Sequence, residues 1–563
     1  MRKLKISIIA VSIALIGYVG SAFTEDYFEV SKNLDIFATL YRELNIYYVD
    51  DTKPGDLMKK GIDAMLASLD PYTVYYPESD IEEYKFMTTG QYGGIGAAVK
   101  EIGGKMVITE PYEGSPAHKA GIKAGDVIIA VNSIKLDNKN SDDISKILKG
   151  QPGSAVKLTV QHYGETKTTD YSLVREEIKV KDVPYYGMLN NEVGYIKLTG
   201  FTQEAAKEVK EAFAKLKDEK KCKSLVLDLR GNGGGLLQQA VDIVNIFTEK
   251  GQIVSTTKGK IKEWEATFKA VNNPMDVTMP LVVLVDRNSA SASEVVSGAL
   301  QDLDRAVIIG ERTYGKGLVQ QTRNLSYNSA MKVTVAKYYI PSGRCIQALD
   351  YSSRNEEGAV LKVPDSLTTA FKTKGGRIVY DGAGILPDVP IESESMSNIA
   401  YTLIVKNHIF EYANLYVMKN PKLRGTAKDF TLTEAEYEEF VTYAKQTDYS
   451  YTTETEHDLD ELKKSAEKEK QYEDIKAQFV ALKTKMQQSK KDDFNKFKME
   501  IKRLLEEEIV SRFGYESGRM EAGIKYDTEI AEAMKLASDN ERIKTILTTI
   551  EKPKRPFSPN KKF

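Results

Sequence analysis

The chain has 563 residues, enough for several domains at about 150 residues each, and its 79 basic and 81 acidic side chains nearly cancel. That balance gives no global reason to expect nucleic acid as a partner. Two isolated cysteines, Cys222 and Cys345, exclude a disulfide framework and a cysteine metal motif; whether they pair with each other stays open.

In chain order, Arg2, Lys3 and Lys5 precede an apolar stretch from Ile6 to Val19 and the small residues Gly20-Ser21-Ala22. Residues 1–23 thus carry a secretory signal pattern. The apolar run is short for a full span, which takes about 20 residues, so a cleaved signal and a retained anchor both stand. Either way the body is expected to be exported, into the periplasm or cell envelope, and held at the inner membrane if the segment stays. Residues 24–84 read as helical. Phe28, Leu34, Ile36, Leu40, Leu44 and Ile46 give a mixed apolar pattern, and Met58, Ile62, Met65 and Leu66 a cleaner stripe that ends at Leu69-Asp70-Pro71-Tyr72-Thr73.

From residue 85 to 178 the signals change to short strands and turns. Gln91-Tyr92-Gly93-Gly94-Ile95-Gly96 leads into Ala97-Ala98-Val99; Asp126 to Asn132 reads as a strand and its turn, Asp142 to Leu148 as a short helix, and Val156 to Val160 as a strand. With its run GSPAHKAGIKAGDVIIAVN, this segment resembles a PDZ domain. Such domains add an extended peptide to a sheet edge and capture its terminal carboxylate on backbone N–H groups. The resemblance implies that Gly93, Gly94, Ile95 and Gly96 form the carboxylate loop. Ile144 and Leu148, one helical turn apart, would line an apolar pocket.

Residues 179–395 alternate strands with helices. Ser224 to Leu229 is a buried strand that ends in Asp228-Leu229-Arg230-Gly231-Asn232-Gly233-Gly234-Gly235. Glycine-rich turns between strand and helix expose backbone N–H groups. A second apolar run, Leu281 to Val285, passes through a turn into Ser289-Ala290-Ser291-Ala292-Ser293-Glu294, after which Val295, Val296, Ala299 and Leu300 fall at helical spacing. Ser291 is therefore expected near a helix N-terminus, whose unpaired N–H groups and dipole suit a developing oxyanion. A third strand, Ala306 to Ile309, leads into GERTYGKG and presents Lys316.

A serine needs a base to become a nucleophile. The four histidines, His118, His162, His408 and His457, lie far from both segments in the sequence. A lysine serves as the base when burial lowers its pKa toward neutrality, and the Ser-Lys pair is a known variant of the triad logic. Gln320, four residues after Lys316, is placed to hold the amine. GERTYGKG also matches the first seven positions of a phosphate-binding loop, but Gly317 stands where that loop needs Ser or Thr, and the following LVQQTRNL does not read as its helix.

SASASE followed at this spacing by GKGLVQ resembles the carboxyl-terminal processing peptidases, also called tail-specific proteases. The resemblance runs from about Leu69 to Pro390. It includes the LDPYT turn and the Gly384-Ile385-Leu386-Pro387-Asp388 ending. It implies that Ser291 is the nucleophile, Lys316 the general base and Gln320 the residue that orients it. The Asp228–Gly235 segment is similar to the family's DLRNNPGG, which supplies half of the oxyanion hole, here assigned to Gly234 with the Ala292 amide as partner. Gly231 and Gly233 replace the family's usual Asn and Pro.

The implied fold class is α/β and multidomain: a crotonase-like spiral core with an inserted PDZ domain and a helical C-terminal extension. That extension, residues 396–563, reads as a helix through Leu459 to Met486 and another through Phe494 to Leu504, then a basic, proline-interrupted tail. The implied function is an exported serine endopeptidase acting on protein or peptide substrates with apolar C-termini. No metal or organic cofactor is implied, and a regulatory or adaptor protein and a homodimer are the further partners considered. Two other classes compete: a catalytically silent PDZ scaffold, opposed by the intact Ser-Lys-Gln set, and an acyl-CoA enzyme on the same core, opposed by the signal segment.

Overall fold

Strict alternation explains the central sheet. In the computed structural model, which describes residues 27–136, 141–354, 360–362, 368–392 and 395–550, six strands lie side by side in the order β1 (Tyr185–Met188), β2 (Val193–Lys197), β3 (Ser224–Asp228), β4 (Leu281–Val285), β5 (Val307–Gly310) and β6 (Val389–Pro390). The β1–β2 pair is antiparallel and the rest are parallel. Successive side chains of a strand face opposite ways. Leu225, Leu227, Leu281, Val283 and Ile308 accordingly enter one core, with α1 (Ala205–Ala214), α2 (Leu237–Phe247) and α3 (Ala292–Asp302) packed in it. Val226, Val282, Leu284, Val307 and Ile309 enter a second core on the other face. A parallel sheet covered on both faces reads as a continuous apolar run, as Leu281–Val285 does.

The second face is closed by α4 (Thr528–Ala537) and α5 (Asn540–Thr548), through Ile530, Ala533, Leu536 and Ile543. The far C-terminal chain is thus structurally part of the sheet domain. Between Pro390 and α4 lies a helical region with its own core, built on Tyr412, Tyr437, Phe440, Ile501, Leu505 and Ile509. The apolar spacing predicts one helix through residues 459–486. The structure divides it into Glu454–Lys468 and Tyr472–Lys490, with Lys470 at φ 61° in the turn. No glycine or proline marks that break, so periodicity alone runs across it.

The inserted segment is a five-strand path, Ala97–Ile102, Lys105–Pro111, Val127–Val131, Ala155–Gln161 and Thr168–Val174, with Ile134–Lys135 beside it and two short helices, Pro116–Lys119 and Ser141–Leu148. Gln91–Gly94 pairs antiparallel with Glu176–Lys179, so the chain enters and leaves through one two-stranded stalk. A separate unit groups the residues through Glu78 with Thr322–Val333. In it residues 27–47 and Pro54–Ala67 are helical, and the LDPYT turn is pinned by Asp70 Oδ1, which accepts from the Tyr72 and Thr73 amides at 2.8 Å. Leu34 and Leu40 on the first helix are more than half exposed.

The signal segment 1–23 and the basic tail from Lys552 lie outside the described residues. Among the described residues no helix is long and apolar enough to cross a membrane. Cys222 and Cys345 are both free thiols.

Candidate active site

Three turns at the C-terminal ends of β3, β4 and β5 meet at the site. Ligand sites of open parallel sheets form at this edge. After β4, Asp286 Oδ1 accepts from the Asn288 amide, and the Asp286 amide donates to Ser289 Oγ. The chain then turns sharply into α3, with Ser291 at φ 57° and ψ −113°. That conformation is costly for a residue with a Cβ, about 1–3 kcal/mol, and persists only where the surroundings over-determine it.

The restraint is Glu294, fully buried in the first turn of α3. Its Oε2 accepts from the Ser291 amide and the Lys316 amide, both at 2.8 Å. Its Oε1 accepts from the Thr313 hydroxyl at 2.6 Å and the Gly315 amide at 2.7 Å. One carboxylate therefore ties the serine turn to the lysine turn. Burial pushes this carboxyl upward, and the same four donors pull against that shift.

The three serines of the SASAS segment differ in what they bond. Ser289 Oγ donates to the Leu229 carbonyl at 2.9 Å, and Ser293 Oγ to the Asn232 carbonyl at 2.8 Å; both are fully buried. Ser291 alone is partly exposed. Its hydroxyl neighbours that of Tyr338, whose own O–H donates to the Lys316 carbonyl. Burial, with Glu294 nearby, holds the Tyr338 phenol well above the usual tyrosine range.

Gly234 sits against the nucleophile turn. A Cβ there would lie 2.7 Å from the Ala290 carbonyl oxygen, 2.8 Å from Ser291 Cβ and 2.9 Å from the Ala292 nitrogen, and its φ is +100°. Only glycine fits. Its N–H donates to Asn232 Oδ1 at 2.9 Å. Beside it, Ala292 opens α3, so the two residues expected to form the oxyanion hole lie against each other.

Lys316 is partly buried, and its turn is fixed on both sides: Gly317 N donates to Gln347 Oε1 at 2.7 Å, and a Cβ on Gly315 would meet Ala348 Cβ at 2.4 Å. Gln320 Nε2 donates to Thr334 Oγ1 at 3.3 Å. A strand, Leu318–Asn324, follows the GKG turn. A phosphate-binding loop needs a helix there, so the nucleotide reading falls. None of the four histidines bonds the serine: His118 accepts from the Gly114 amide, His162 bridges Asp126 and Tyr171, His408 contacts the Asp448 carbonyl, and His457 sits on Glu454–Lys468.

Three regions of this chain match known families: residues 192–351 match Peptidase family S41, residues 107–162 the PDZ domain, and residues 399–537 "Probable PDZ-protease, C-terminal helical domain". A "Carboxy-terminal-processing protease" of Bartonella bacilliformis is 34% identical over 341 residues, 60% of this chain and 78% of that protein. The chain belongs to the carboxy-terminal-processing protease family. It is a serine-type peptidase. A "Probable CtpA-like serine protease" of Staphylococcus aureus is 38% identical over 317 residues, 56% of this chain and 62% of that one. A solved "Photosystem II D1 C-terminal processing protease" aligns over 63% of this chain and 92% of its own at 27% identity, with a TM-score of 0.34.

In this peptidase the glycine loop hangs from a buried ion cluster. Asp228 accepts from Tyr195 Oη at 2.7 Å, Lys197 Nζ at 3.1 Å and the Arg230 guanidinium, with Nη2 at 2.6 Å. Burial alone would raise its pKa, but Lys197 and Arg230 hold the carboxyl well below the usual range. The loop's Asn232 is fully buried; its carbonyl accepts from the Ala290 amide at 3.0 Å and from Ser293 Oγ, joining the loop to the nucleophile turn.

The residues expected to bind a tail lie in the stalk and the core of the inserted domain. Gly93 and Gly94 pair with Glu177 and Glu176 in the stalk, and Gly150 N donates to the Gly93 carbonyl. The Ile95 carbonyl accepts from Ala117 N, and the Gly96 carbonyl from Tyr112 N and Ser115 Oγ. Ile95, Ile144 and Leu148 are 2%, 1% and 5% exposed and share the domain's core. Sequence reading missed Glu294, Asn232 and Tyr338 as site residues. The Ser-x-x-Glu spacing of a capping box marks Glu294; nothing local marks the other two.

Proposed function

We propose that this peptidase is an exported Ser-Lys endopeptidase that captures the C-terminal tail of a protein on its PDZ domain and cleaves near that tail. The observation that carries the reading is the different fate of the three serines. Two are buried on backbone carbonyls, while Ser291 is left partly exposed on a strained turn. The Lys316 backbone is tied to the same carboxylate oxygen as that serine. All four histidines are among the described residues and none is hydrogen-bonded to Ser291, which further favours lysine as base.

In this mechanism neutral Lys316 takes the proton of Ser291 as Oγ attacks the scissile carbonyl. The oxyanion forms beside the first turn of α3, where the Ala292 amide and the helix dipole stabilise it. The amine leaves with the proton from Lys316, giving an acyl-enzyme. Water, deprotonated by the same lysine, releases the new C-terminus. Gln320 orients the amine. The tail reading rests on the PDZ match over residues 107–162 and on the apolar side chains Ile144 and Leu148. Export rests on Arg2, Lys3, Lys5 and the apolar run that follows.

The test is cleavage of casein by wild type, Ser291→Ala and Lys316→Ala, with a serine-directed fluorophosphonate as second readout. Loss of both signals in Ser291→Ala, and of cleavage in Lys316→Ala, is expected. Normal turnover by Lys316→Ala would overturn the assignment of the base.

A further inference from the structure

Arg230 carries more partners than its own segment supplies. Its Nε lies 3.1 Å from each oxygen of Asp228, two residues back. The far edge of the guanidinium turns the other way, to the C-terminal helical chain. Nη2 lies 2.9 Å from Asp527 Oδ2, Nη1 donates to Asp527 Oδ1 at 3.1 Å, and Nη1 also meets Glu529 Oε2. The Arg230 side chain is 15% exposed, Glu529 10% and Asp228 0%. Asp527 is itself fixed, because it caps α4 by accepting from the Ile530 amide at 2.8 Å. Glu529 sits one residue before Ile530, which packs in the second sheet core.

The path from Arg230 to the nucleophile is short and continuous. Lys197 Nζ holds the Arg230 carbonyl at 2.7 Å. Gly231 N donates to Asp286 Oδ1 at 2.9 Å, at the start of the serine turn. Asn232 receives the Ala290 amide and the Ser293 hydroxyl, the residues on either side of Ser291 and Ala292. Gly234 abuts Ser291. The position of the glycine loop is therefore set at its first residue, and the loop in turn shapes the nucleophile turn. A paired guanidinium in this planar geometry is held in direction as well as place.

We propose that Asp527 and Glu529, from the C-terminal helical chain, are positioning residues of the active site: they complete the carboxylate shell of Arg230 and so fix the loop that abuts Ser291. The helical region is then part of the catalytic apparatus, besides covering the sheet. A buried guanidinium left with one carboxylate and two neutral amides would be held less firmly and would rotate or recruit water. The loop would follow it, and small displacements at a reacting centre cost large factors in rate. The inference rests on Ser291 being the nucleophile, and its test separates the two.

The experiment uses the full chain. Asp527→Asn/Glu529→Gln removes both charges at nearly constant volume. The expected result is a ~10-fold or greater fall in kcat on casein and in the rate of fluorophosphonate labelling, with KM within ~2-fold. Tyr526→Phe is the packing control: it removes the neighbouring hydroxyl that donates to Glu506 and should leave kcat and labelling within ~2-fold of wild type. Wild-type kcat and labelling in a folded double variant would overturn the proposal. If the double variant does not fold, the single variants decide: a ~3-fold or greater fall in either supports the assignment, and wild-type rates in both refute it. A wild type that is neither labelled at Ser291 nor active would sink the peptidase mechanism instead.

Discussion

Replacing Gly234 by alanine tests the packing of the site at one atom. The new Cβ would stand 2.7–2.9 Å from the Ala290 oxygen, Ser291 Cβ and the Ala292 nitrogen. Ordinary contact begins at about 3.5 Å, so relieving the 2.7 Å approach requires loop and turn to part by ~0.8 Å. The residue also holds φ +100°, which adds about 1–2 kcal/mol for an L side chain. Neither partner yields easily. Asn232 ties the loop to Ala290 and Ser293, and Glu294 ties Ser291 to the lysine turn. The displacement therefore falls on Ser291 and the Ala292 amide. A loss of ~10–100-fold in kcat on casein is expected, equivalent to about 1.4–2.7 kcal/mol of barrier, with slower fluorophosphonate labelling. Gly233→Ala is the paired control, because a Cβ there meets nothing within 4 Å; its rate should stay within ~2-fold. Equal rates for the two variants, both folded by circular dichroism, would refute the argument from close approach.

Asp228→Asn should destabilise the folded chain by about 3–5 kcal/mol at pH 7, because Lys197 and Arg230 lose a buried partner. The native pKa of Asp228 is depressed, so its contribution is complete above the unfolded value near 3.9 and fades as pH falls toward the native one. Urea unfolding at pH 7 and pH 3 checks this: the gap between wild type and variant should narrow at pH 3, and a constant or wider gap contradicts it. Ile530→Ala, in the second sheet core, should cost about 2–5 kcal/mol and lower the thermal midpoint of the sheet domain; an unchanged midpoint would show that α4 does not support the sheet. Leu148→Ala should weaken binding of a peptide with a free apolar C-terminus by ~10-fold or more, read by fluorescence anisotropy, and unaltered affinity would remove Leu148 from the tail site.

The fold was legible where one face or one period dominates. Leu281–Val285 and Ser224–Asp228 read as buried strands because both faces of the sheet are covered, and continuous apolar runs report that directly. What covers the second face was not legible. Thr528–Ala537 offers an ordinary amphipathic pattern, and nothing in it names a sheet that begins more than 300 residues earlier. The hairpin at Lys470 was invisible for a different reason: its left-handed residue is a lysine, where turn chemistry favours glycine or asparagine.

The site divides along the same line. Ser291 and Lys316 stand out in the sequence because each follows a buried strand in a turn of small residues, and strand ends in parallel sheets converge. Their connection through Glu294 is half local. The Ser-x-x-Glu spacing fixes the bond to the Ser291 amide, but only the tertiary structure brings Thr313, Gly315 and Lys316 to the same carboxylate. A buried acid with four donors is satisfied only when both turns are in place. Glu294 therefore makes the arrangement of nucleophile and base conditional on the complete fold: loss of the lysine turn would leave a fully buried carboxylate with one of its four bonds, and the strained Ser291 backbone would lose the restraint that keeps it there.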